Sequence, residues 1–301
     1  ELDPLAVRAA TRAVFGEIPL QAKIPVSIPG QIESEDGLTR PRYEMELVKD
    51  IDDDFMDEAY GVLERAIDDS IFPGAQVAVV HQGKLIASRS FGHQTYETDS
   101  PVITSETLYD LASVTKVAAT TTIAMQLYGQ KKLRIDIPVK SYLPGFSGGL
   151  KDSVTIRHLL THSAGILWWD SLWTRSKTKE EALEYIYKLP LVYPPGDSMI
   201  YSDLGIIMVG HILEIITGKP LNQLAQEMIY TPLGMTNTMF NPPDSLLPRI
   251  APTEIGGSMK RGLIHGEVHD ENAYFLGGVS AHAGLFSTAE DLAKFAQMLI
   301  N

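Results

Sequence analysis

The chain has no cysteine among its 301 residues. This absence excludes disulfide bonds, a cysteine nucleophile and thiolate-bound metal sites. It fits a protein on either side of a bacterial membrane, so the cysteine content does not place the chain in a compartment.

Basic residues are scarce as well, with 25 Lys and Arg against 38 Asp and Glu. The resulting net charge of −13 excludes a general electrostatic attraction to nucleic acid or to an anionic membrane. No run of about 18 or more apolar residues occurs, so no membrane span is predicted. The hydrophobic share of 44% and the length suit one large domain or two modest ones with a substantial core.

Two regions of different character follow one another along the chain. Residues 1–51 are predicted to be an N-terminal helix, over 4–15, and an extended Pro- and Gly-rich linker, a pattern that fits the remnant of a preceding domain. The chain begins ELDP, without methionine or a signal-like apolar segment. The compact domain is predicted to cover residues 52–301.

The compact domain is predicted to belong to the α+β class. Two strand-like runs, AQVAVVH and KLIASRSFG, are joined by a hairpin turn at Gln82-Gly83. Residues 263–287 are a candidate for a further strand. Helical periodicity predicts helices over 53–70, 113–130, 155–161, 178–189, 203–217, 220–230 and 288–300, the last with a capping box of Ser287 and Glu290.

One hairpin is a small sheet for a domain of this class, because an isolated strand pair is rarely stable. We therefore expect further strands beyond Asn301, in a C-terminal segment absent from this chain. On this prediction the domain is incomplete at its C-terminus and is completed by that segment.

A single lysine interrupts the otherwise uncharged stretch LASVTKVAATTT at residues 111–122. We expect Ser113 in the first turn of a helix, where unpaired backbone N–H groups and the positive end of the helix dipole favour an oxyanion. Lys116, three residues later, falls on the same helical face. An amine kept out of water beside a hydroxyl can act as its general base.

The Ser-x-x-Lys pattern alone is common, and a lysine that reaches solvent at a chance serine is the alternative. The surrounding helix favours the functional interpretation, because a helix that is apolar nearly all round is buried and a buried lysine without a partner is costly. The apolar or small residues that surround it are Val114, Val117, Ala118, Ala119, Ile123, Ala124 and Leu127.

A second candidate group is the stretch YSDLG at Tyr201, Ser202 and Asp203, between a Pro-Pro-Gly loop and an apolar helix. A tyrosine at such a junction can direct its hydroxyl into a cleft and relay a proton to a leaving group. The alternative is a packed tyrosine bonded to a backbone carbonyl, with Asp203 serving only as the N-cap of the next helix.

Ser-x-x-Lys followed by Tyr-x-Asp resembles the serine hydrolases of the β-lactamase and penicillin-binding-protein superfamily. The resemblance is to the class C β-lactamase-like group of esterases and D-amino-acid peptidases, from about residue 53 to the end. It rests on the stretches FPGAQVAVVHQGKLI, LYDLASVTK, TIRHLLTHSAGI, PPGDSMIYSDLG and HAGLFSTAEDLAKFAQMLI.

This resemblance implies an antiparallel sheet flanked by helices, plus a mostly helical subdomain. It also implies that Ser113 is the nucleophile that becomes acylated, that Lys116 handles its proton, and that Tyr201 is an acid/base group. No cofactor and no metal is implied.

Two positions depart from the family pattern. Asp203 stands where the family usually has an asparagine that donates to the substrate; an ionised carboxylate only accepts, so it would repel an acidic substrate or pair with Lys116. His282-Ala283-Gly284 is similar to the family's third motif, His-x-Gly. We expect the true third motif beyond Asn301 and assign His282 only to the substrate-binding surroundings.

Other residues near these motifs have weaker assignments. Trp168 and Trp169, with Trp173, are candidates for the wall of an acyl pocket, although core packing explains them equally well. His162 and His211 are expected to be structural. His269, Asp270 and Glu271 are interpreted as a polar loop at the mouth of the cleft rather than a metal site, because no second ligand cluster accompanies them.

The first thirty residues resemble the tail of glycoside hydrolase family 3 β-N-acetylglucosaminidases, through AVRAATRAVFGEIPLQAKIPVSIPG. This short resemblance implies a fusion of a sugar hydrolase with a serine hydrolase. Peptidoglycan fragments and an extracytoplasmic or periplasmic location would follow from it.

The function predicted from these motifs is a serine hydrolase with an acyl-enzyme intermediate that acts on a small ester or peptide substrate. Short-chain carboxylesters are favoured over the alternative, a D-amino-acid peptidase, penicillin-binding protein or β-lactamase. A hypothesis of another class is a binding module that keeps the pocket without the chemistry, which Asp203 and the missing third motif favour.

Overall fold

The computed structural model describes residues 51 and 53–300, together with the backbone of three short strands nearer the N-terminus. The helix predicted over residues 4–15 lies outside the described residues. The region predicted as a linker contains paired extended segments. These are β1 (Leu20–Lys23), antiparallel to β2 (Gly37–Arg40), and β3 (Glu46–Leu47), which runs parallel to a later strand.

The predicted hairpin is confirmed and forms the centre of the largest described sheet. Strand β4 (Gly74–His81) pairs antiparallel with β5 (Lys84–Gly92), and β3 lies on the other side of β5. Gln82 and Gly83 both have positive φ, 49° and 80°. Such a pair matches the right-handed twist of the two strands, and this is the reason the chain reverses there.

Most predicted helices are present, with shifted ends. The segment predicted over 113–130 is helical from Val114 and contains a π-helical section, Lys116–Thr121, before it continues as an α-helix. The α-helices are α1 (Asp57–Asp68), α2 (Thr122–Gly129), α3 (Ile156–Leu160), α4 (Leu172–Arg175), α5 (Lys179–Lys188), α6 (Asp203–Thr217), α7 (Leu221–Ala225), α8 (Thr231–Leu233), α9 (Glu271–Phe275) and α10 (Ala289–Ile300).

Single helical turns connect several of these elements. A second π-helical section, Gln226–Tyr230, links α7 to α8. The 3₁₀ turns are Asp54–Met56, Val139–Ser141, Gly149–Ser153 and Asp244–Arg249.

Short strands between Tyr109 and Ser287 make two further sheets. β10 (Leu285–Ser287) lies between β6 (Tyr109–Asp110) and β7 (Met239–Phe240), and β8 (Glu254–Ile255) pairs with β9 (Leu263–Ile264). These pairs are all antiparallel. The architecture is α+β, as predicted, and β10 places residues 281–285 beside the turn that follows β6.

The predicted capping box at the start of α10 is wrong by one residue. Thr288, not Ser287, accepts from a backbone N–H of the helix, that of Asp291 at 3.3 Å. Ser287 is the last residue of β10, and its hydroxyl is bonded to that of Thr238 at 2.7 Å. Glu290 accepts instead from Ser88 on β5, so this helix is attached to the central sheet.

The main hydrophobic core is helical and surrounds α2 and α6. Ala118, Ala119 and Ile123 are fully buried in it, together with Leu204 and Met208 of α6. A separate small cluster packs Tyr60 of α1 against β5. Burial of a large aliphatic side chain contributes about 1.5–3 kcal/mol, so this core fixes the helix that carries Lys116.

Among the described helices, none is by itself long and apolar enough to cross a membrane. Asp203–Thr217 and Leu221–Leu233 meet that length and composition only as a pair, bent by 77°.

Gly210 of α6 allows a close approach between this helix and residue Ala281. A Cβ added at Gly210 would lie 2.5 Å from the Cβ of Ala281. We predict that Gly210→Ala lowers the free energy of unfolding, because overpacking costs about 1–3 kcal/mol and exceeds the gain in helix propensity of about 1 kcal/mol. Urea denaturation measures this change.

Gly129 provides the matched control, because a Cβ added there meets nothing within 4 Å. Gly129→Ala should leave stability unchanged or raise it slightly. Equal effects of the two substitutions would contradict the close packing of α6 against residue 281.

Candidate active site

Ser113 lies at an exposed turn between β6 and the buried helix. The residue before it, Ala112, has a positive φ of 43°, which is strained for a residue other than glycine and costs about 1–3 kcal/mol. The carboxylate of Asp110 supports the turn by accepting the N–H of Ala112 at 2.8 Å. Ser113 therefore stands at the amino end of the helix, as predicted, with its hydroxyl accessible from outside.

Asp110 also ties this turn to a distant loop. Its second carboxylate oxygen accepts the backbone N–H of His269 at 2.7 Å. Burial raises the pKa of Asp110, although the two N–H donors lower it in part. Sequence reasoning missed Asp110 as a residue of the site, because its partner lies 159 residues away along the chain.

Lys116 is buried, with 5% of its surface exposed, and its Nζ has three oxygen partners. The amine donates to Oγ of Ser113 at 2.8 Å and to the carbonyl of His282 at 3.0 Å. It also lies 2.7 Å from Oδ1 of Asp203, as an ion pair. An amine so surrounded avoids the cost of an unpaired buried charge. The structure thus places Lys116 within hydrogen-bond distance of Ser113.

Hydroxyl side chains on the same helix hold the neighbouring segment in place. Thr120 donates to the carbonyl of Ala281 at 2.7 Å, and Thr115 accepts the N–H of Leu285 at 3.1 Å. Two of the threonines in the stretch VTKVAATTT, Thr115 and Thr120, therefore have a physical explanation. They align residues 281–285 along the helix, so that the carbonyl of His282 faces Lys116.

The π-helical section of this helix begins at Lys116 itself. The hydroxyl of Thr122 donates to the carbonyl of Val117, five residues earlier, at 2.8 Å. Such wide turns are rare and often occur at functional sites.

Asp203 is the first residue of α6, and its position is fixed by its neighbours. Ser202 caps the helix by accepting the N–H of Gly205 at 3.0 Å, and the N–H of Asp203 donates to the carbonyl of Trp168 at 2.9 Å. The side chain of Asp203 is thereby directed towards Lys116. The sequence allowed Asp203 to be either the N-cap of this helix or the partner of Lys116. The N-cap is Ser202, and Asp203 is the ion-pair partner of the lysine.

Tyr201 contacts Lys116 through its ring. The Nζ lies 4.7 Å from the ring centroid, a distance typical of a cation–π contact, and 47% of Tyr201 is exposed. On its other side, the ring of Tyr201 stacks on that of His162 with 4.6 Å between centroids. Tyr201 is therefore at the rim of the site, beside the amine that contacts Ser113.

His162, predicted to be structural, supports this arrangement. Its Nδ1 accepts the N–H of Ser202 at 3.0 Å, and its carbonyl accepts the N–H of Ile200 at 3.0 Å. Burial lowers the pKa of His162, and the charge of Lys116 lowers it further. The lowered pKa favours the neutral ring, and His162 holds the backbone on both sides of Tyr201.

His282 contributes its backbone to the site, since its imidazole is only 1% exposed. The ring is hydrogen-bonded to Ser280 through Nδ1 and to Asp270 through Nε2, both at 2.8 Å. Burial would raise the pKa of Asp270, but the hydrogen bond and the charge of His282 outweigh it and lower the pKa to about 2. His282 was predicted to contribute to substrate binding, but its imidazole is buried and not exposed to a substrate.

Ligand atoms of Asp203, Asp270 and His282 lie within 4.8 Å of one another. This spacing is compatible with a metal ion, but the ammonium of Lys116 is already 2.7 Å from Asp203. We interpret Asp203 as the counter-ion of the lysine and Asp270 as the partner of His282.

The tryptophans predicted as pocket walls form one aromatic cluster beside the site. The rings of Trp168 and Trp169 are 5.9 Å apart and those of Trp169 and Trp173 are 5.8 Å apart, with Trp168 exposed. The buried Asn272 links this loop to the loop of Asp270, because it donates to the carbonyl of Asp170 at 3.0 Å. Nothing in the sequence near Asn272 indicated this connection.

A protein-family model described as beta-lactamase matches residues 60–301. This stretch contains Ser113, Lys116, Tyr201 and Asp203. The chain belongs to the β-lactamase family.

Two curated relatives of this β-lactamase-family chain are bacterial proteins. A protein of Escherichia coli (strain K12), provisionally named D-alanyl-D-alanine carboxypeptidase, is 35% identical over 272 residues, which are 76% of this chain and 60% of the relative. An N-acetylmuramyl-L-alanine amidase of Bacillus subtilis (strain 168) is 35% identical over 262 residues, 76% of this chain and 59% of the relative. The chain thus spans about three fifths of the length of these relatives.

Two solved structures share the β-lactamase fold with this chain. EstCE1, described as a hydrolase with promiscuous acyltransferase activity, is 27% identical with a TM-score of 0.66, and the match covers 81% of this chain and 71% of EstCE1. FmtA from Staphylococcus aureus is 21% identical, also with a TM-score of 0.66, and the match covers 97% of this chain and 72% of FmtA. The second likeness concerns the fold alone.

We predict that protonation of His162 destabilises the protein. Because the pKa of His162 is lowered in the folded state, the unfolded chain takes up a proton at higher pH than the folded chain does. The stability from the neutral ring is complete above the ordinary histidine pKa of 6.5 and is lost as the pH falls below it. Denaturant unfolding between about pH 7.5 and 5.5 measures the loss.

His162→Asn is the matched variant, since asparagine keeps an acceptor and tolerates the positive φ of 56°. The wild-type protein should lose more unfolding free energy than this variant over the same pH range. Parallel pH dependences would contradict the proposed role of the neutral ring.

Proposed function

We propose that this chain is a serine hydrolase that forms an acyl-enzyme on Ser113. The observation that supports this most strongly is the buried amine of Lys116, 2.8 Å from the Ser113 hydroxyl. Oγ attacks the carbonyl carbon of the substrate while its proton moves to Nζ of Lys116, which must be in its neutral amine form to accept it. The ammonium that results is stabilised by Asp203, by the carbonyl of His282 and by the ring of Tyr201.

The oxyanion that forms on the substrate lies at the amino end of the helix. The positive end of the helix dipole and backbone N–H groups there favour negative charge. When the carbonyl re-forms, the leaving group departs with a proton that Tyr201 or Lys116 supplies. Water then attacks the acyl-enzyme and releases the acid and free Ser113.

The bond that is cleaved is proposed to be an ester or an amide. The structural likeness to EstCE1, described as a hydrolase, supports the short-chain ester predicted from the sequence. The names of the bacterial relatives, a carboxypeptidase and an amidase, support amide bonds of peptidoglycan-like substrates as the second candidate. These names also support an extracytoplasmic location. A third motif from outside residues 1–301 stays a prediction.

The alternative of a binding module without chemistry is less well supported. Such a module needs a pocket but has no need for an amine buried against a serine, with three oxygen partners and a strained turn. Burial of a charged side chain is costly, so its retention favours a catalytic role.

We predict that a fluorophosphonate probe labels the wild-type protein on Ser113, because the activated hydroxyl attacks the phosphorus centre. Intact-protein mass spectrometry should show one adduct on the wild type and none on Ser113→Ala. Ser153→Ala is the matched control, because Ser153 is an exposed serine whose hydroxyl donates only to a local carbonyl. It should be labelled like the wild type.

Equal labelling of wild type and Ser113→Ala would reject Ser113 as the nucleophile. Labelling of Ser113 without any turnover of p-nitrophenyl acetate would favour the binding module instead.

A further inference from the structure

Two carboxylates lie close together near Lys116, those of Asp203 and Asp270, and we name them the acidic pair. The side chain of Asp203 is 15% exposed and that of Asp270 is 25% exposed, so both are partly open to the site. The two groups offer oxygens within 4.8 Å of each other. One ammonium, that of Lys116, separates Asp203 from the hydroxyl of Ser113.

The basic side chains on the adjoining segments already have carboxylate partners of their own. These pairs are Arg175 with Asp170 at 3.3 Å, Arg261 with Glu267 at 3.3 Å and His269 with Glu254 at 2.5 Å. The acidic pair therefore has Lys116 and the buried ring of His282 as its cationic neighbours. Of these two neighbours, Lys116 is the one that contacts Ser113, and the two carboxylates have oxygens within 4.8 Å of each other next to it.

We propose that the acidic pair makes the site select against substrates that carry a free carboxylate next to the scissile carbonyl, and that the preferred substrate is an ester or amide with an uncharged group there. This inference rests on the proposed function and specifies its substrate class. A carboxypeptidase removes a terminal residue whose carboxylate adjoins the scissile bond. The acidic pair disfavours that arrangement and favours cleavage of a bond with neutral surroundings.

The physical reason is the repulsion of like charges in a partly buried site, where the effective dielectric constant is well below that of water. Repulsion of this kind weakens the binding of a substrate that carries a carboxylate. It also destabilises the oxyanion, because the oxyanion adds a second negative charge beside the substrate carboxylate. Salt screens the exposed part of the interaction.

The test compares two thioesters that differ in one group: S-acetylthioglycolate, with a free carboxylate, and its primary amide. Thiol release gives kcat/KM for each. The wild type should prefer the amide by about tenfold or more at low salt, and the preference should shrink as salt is added. In Asp203→Asn the ratio of the two kcat/KM values should fall several-fold. Because a general loss of nucleophile reactivity lowers both kcat/KM values by the same factor, it does not change their ratio.

Asp68→Asn is the matched control, because it removes the same charge from an exposed position on α1, which packs in a separate hydrophobic cluster. It should keep the wild-type ratio. If Asp203→Asn does not fold, Asp270→Asn tests the same change in the ratio. The salt dependence of the ratio is measured on the wild type and needs no variant.

Equal use of the two thioesters by the wild type, a preference for the free carboxylate, or an unchanged ratio in Asp203→Asn would overturn the inference. So would a wild type that is labelled on Ser113 but hydrolyses neither thioester. Loss of both labelling and hydrolysis would instead contradict the proposed function itself.

Discussion

A buried amine with three oxygen partners is the constraint on which the described structure of this domain depends. The Nζ of Lys116 reaches the hydroxyl of Ser113 at the turn before its own helix, the carboxylate of Asp203 at the start of α6, and the carbonyl of His282 on the segment before β10. Each partner comes from a different part of the chain. Since a buried charge without partners is costly, all three segments must be in place before the helix can pack.

The fold meets this requirement with a small number of hydrogen bonds from side chains to backbone groups, several of them between residues far apart in sequence. Asp110 joins the Ser113 turn to the loop at His269, Thr115 and Thr120 align the segment that carries His282, and the helical core around α2 and α6 holds both helices. The strain at Ala112 is tolerated because these contacts fix the turn from two sides. Stability and the geometry of the site therefore rest on the same residues.

The sequence predicts the local parts of this site and misses the distant ones. Ser113 and Lys116 were predictable because a spacing of three residues at a buried helix brings two side chains together. Asp203 was predictable because it lies at the junction between a loop and an apolar helix. The carbonyl of His282 was not predictable, since it lies 166 residues from Lys116 and backbone atoms leave no mark in the residue type. The contacts of Asp110 and Asn272 were not predictable either, because their partners lie 159 and 102 residues away. The cap at Thr288 was missed because Ser287, the residue predicted as the cap, is the last residue of β10.

The most direct test of the central claim is the rate at which a fluorophosphonate labels Lys116→Met, with thermal unfolding as the check that the variant is folded. If Lys116 takes the proton of Ser113, the labelling rate should fall by about 10²–10⁴-fold, the usual contribution of a general base. Lys84→Met, at the exposed hairpin, should be labelled at the wild-type rate. A folded Lys116→Met protein that is labelled as fast as the wild type would contradict the account.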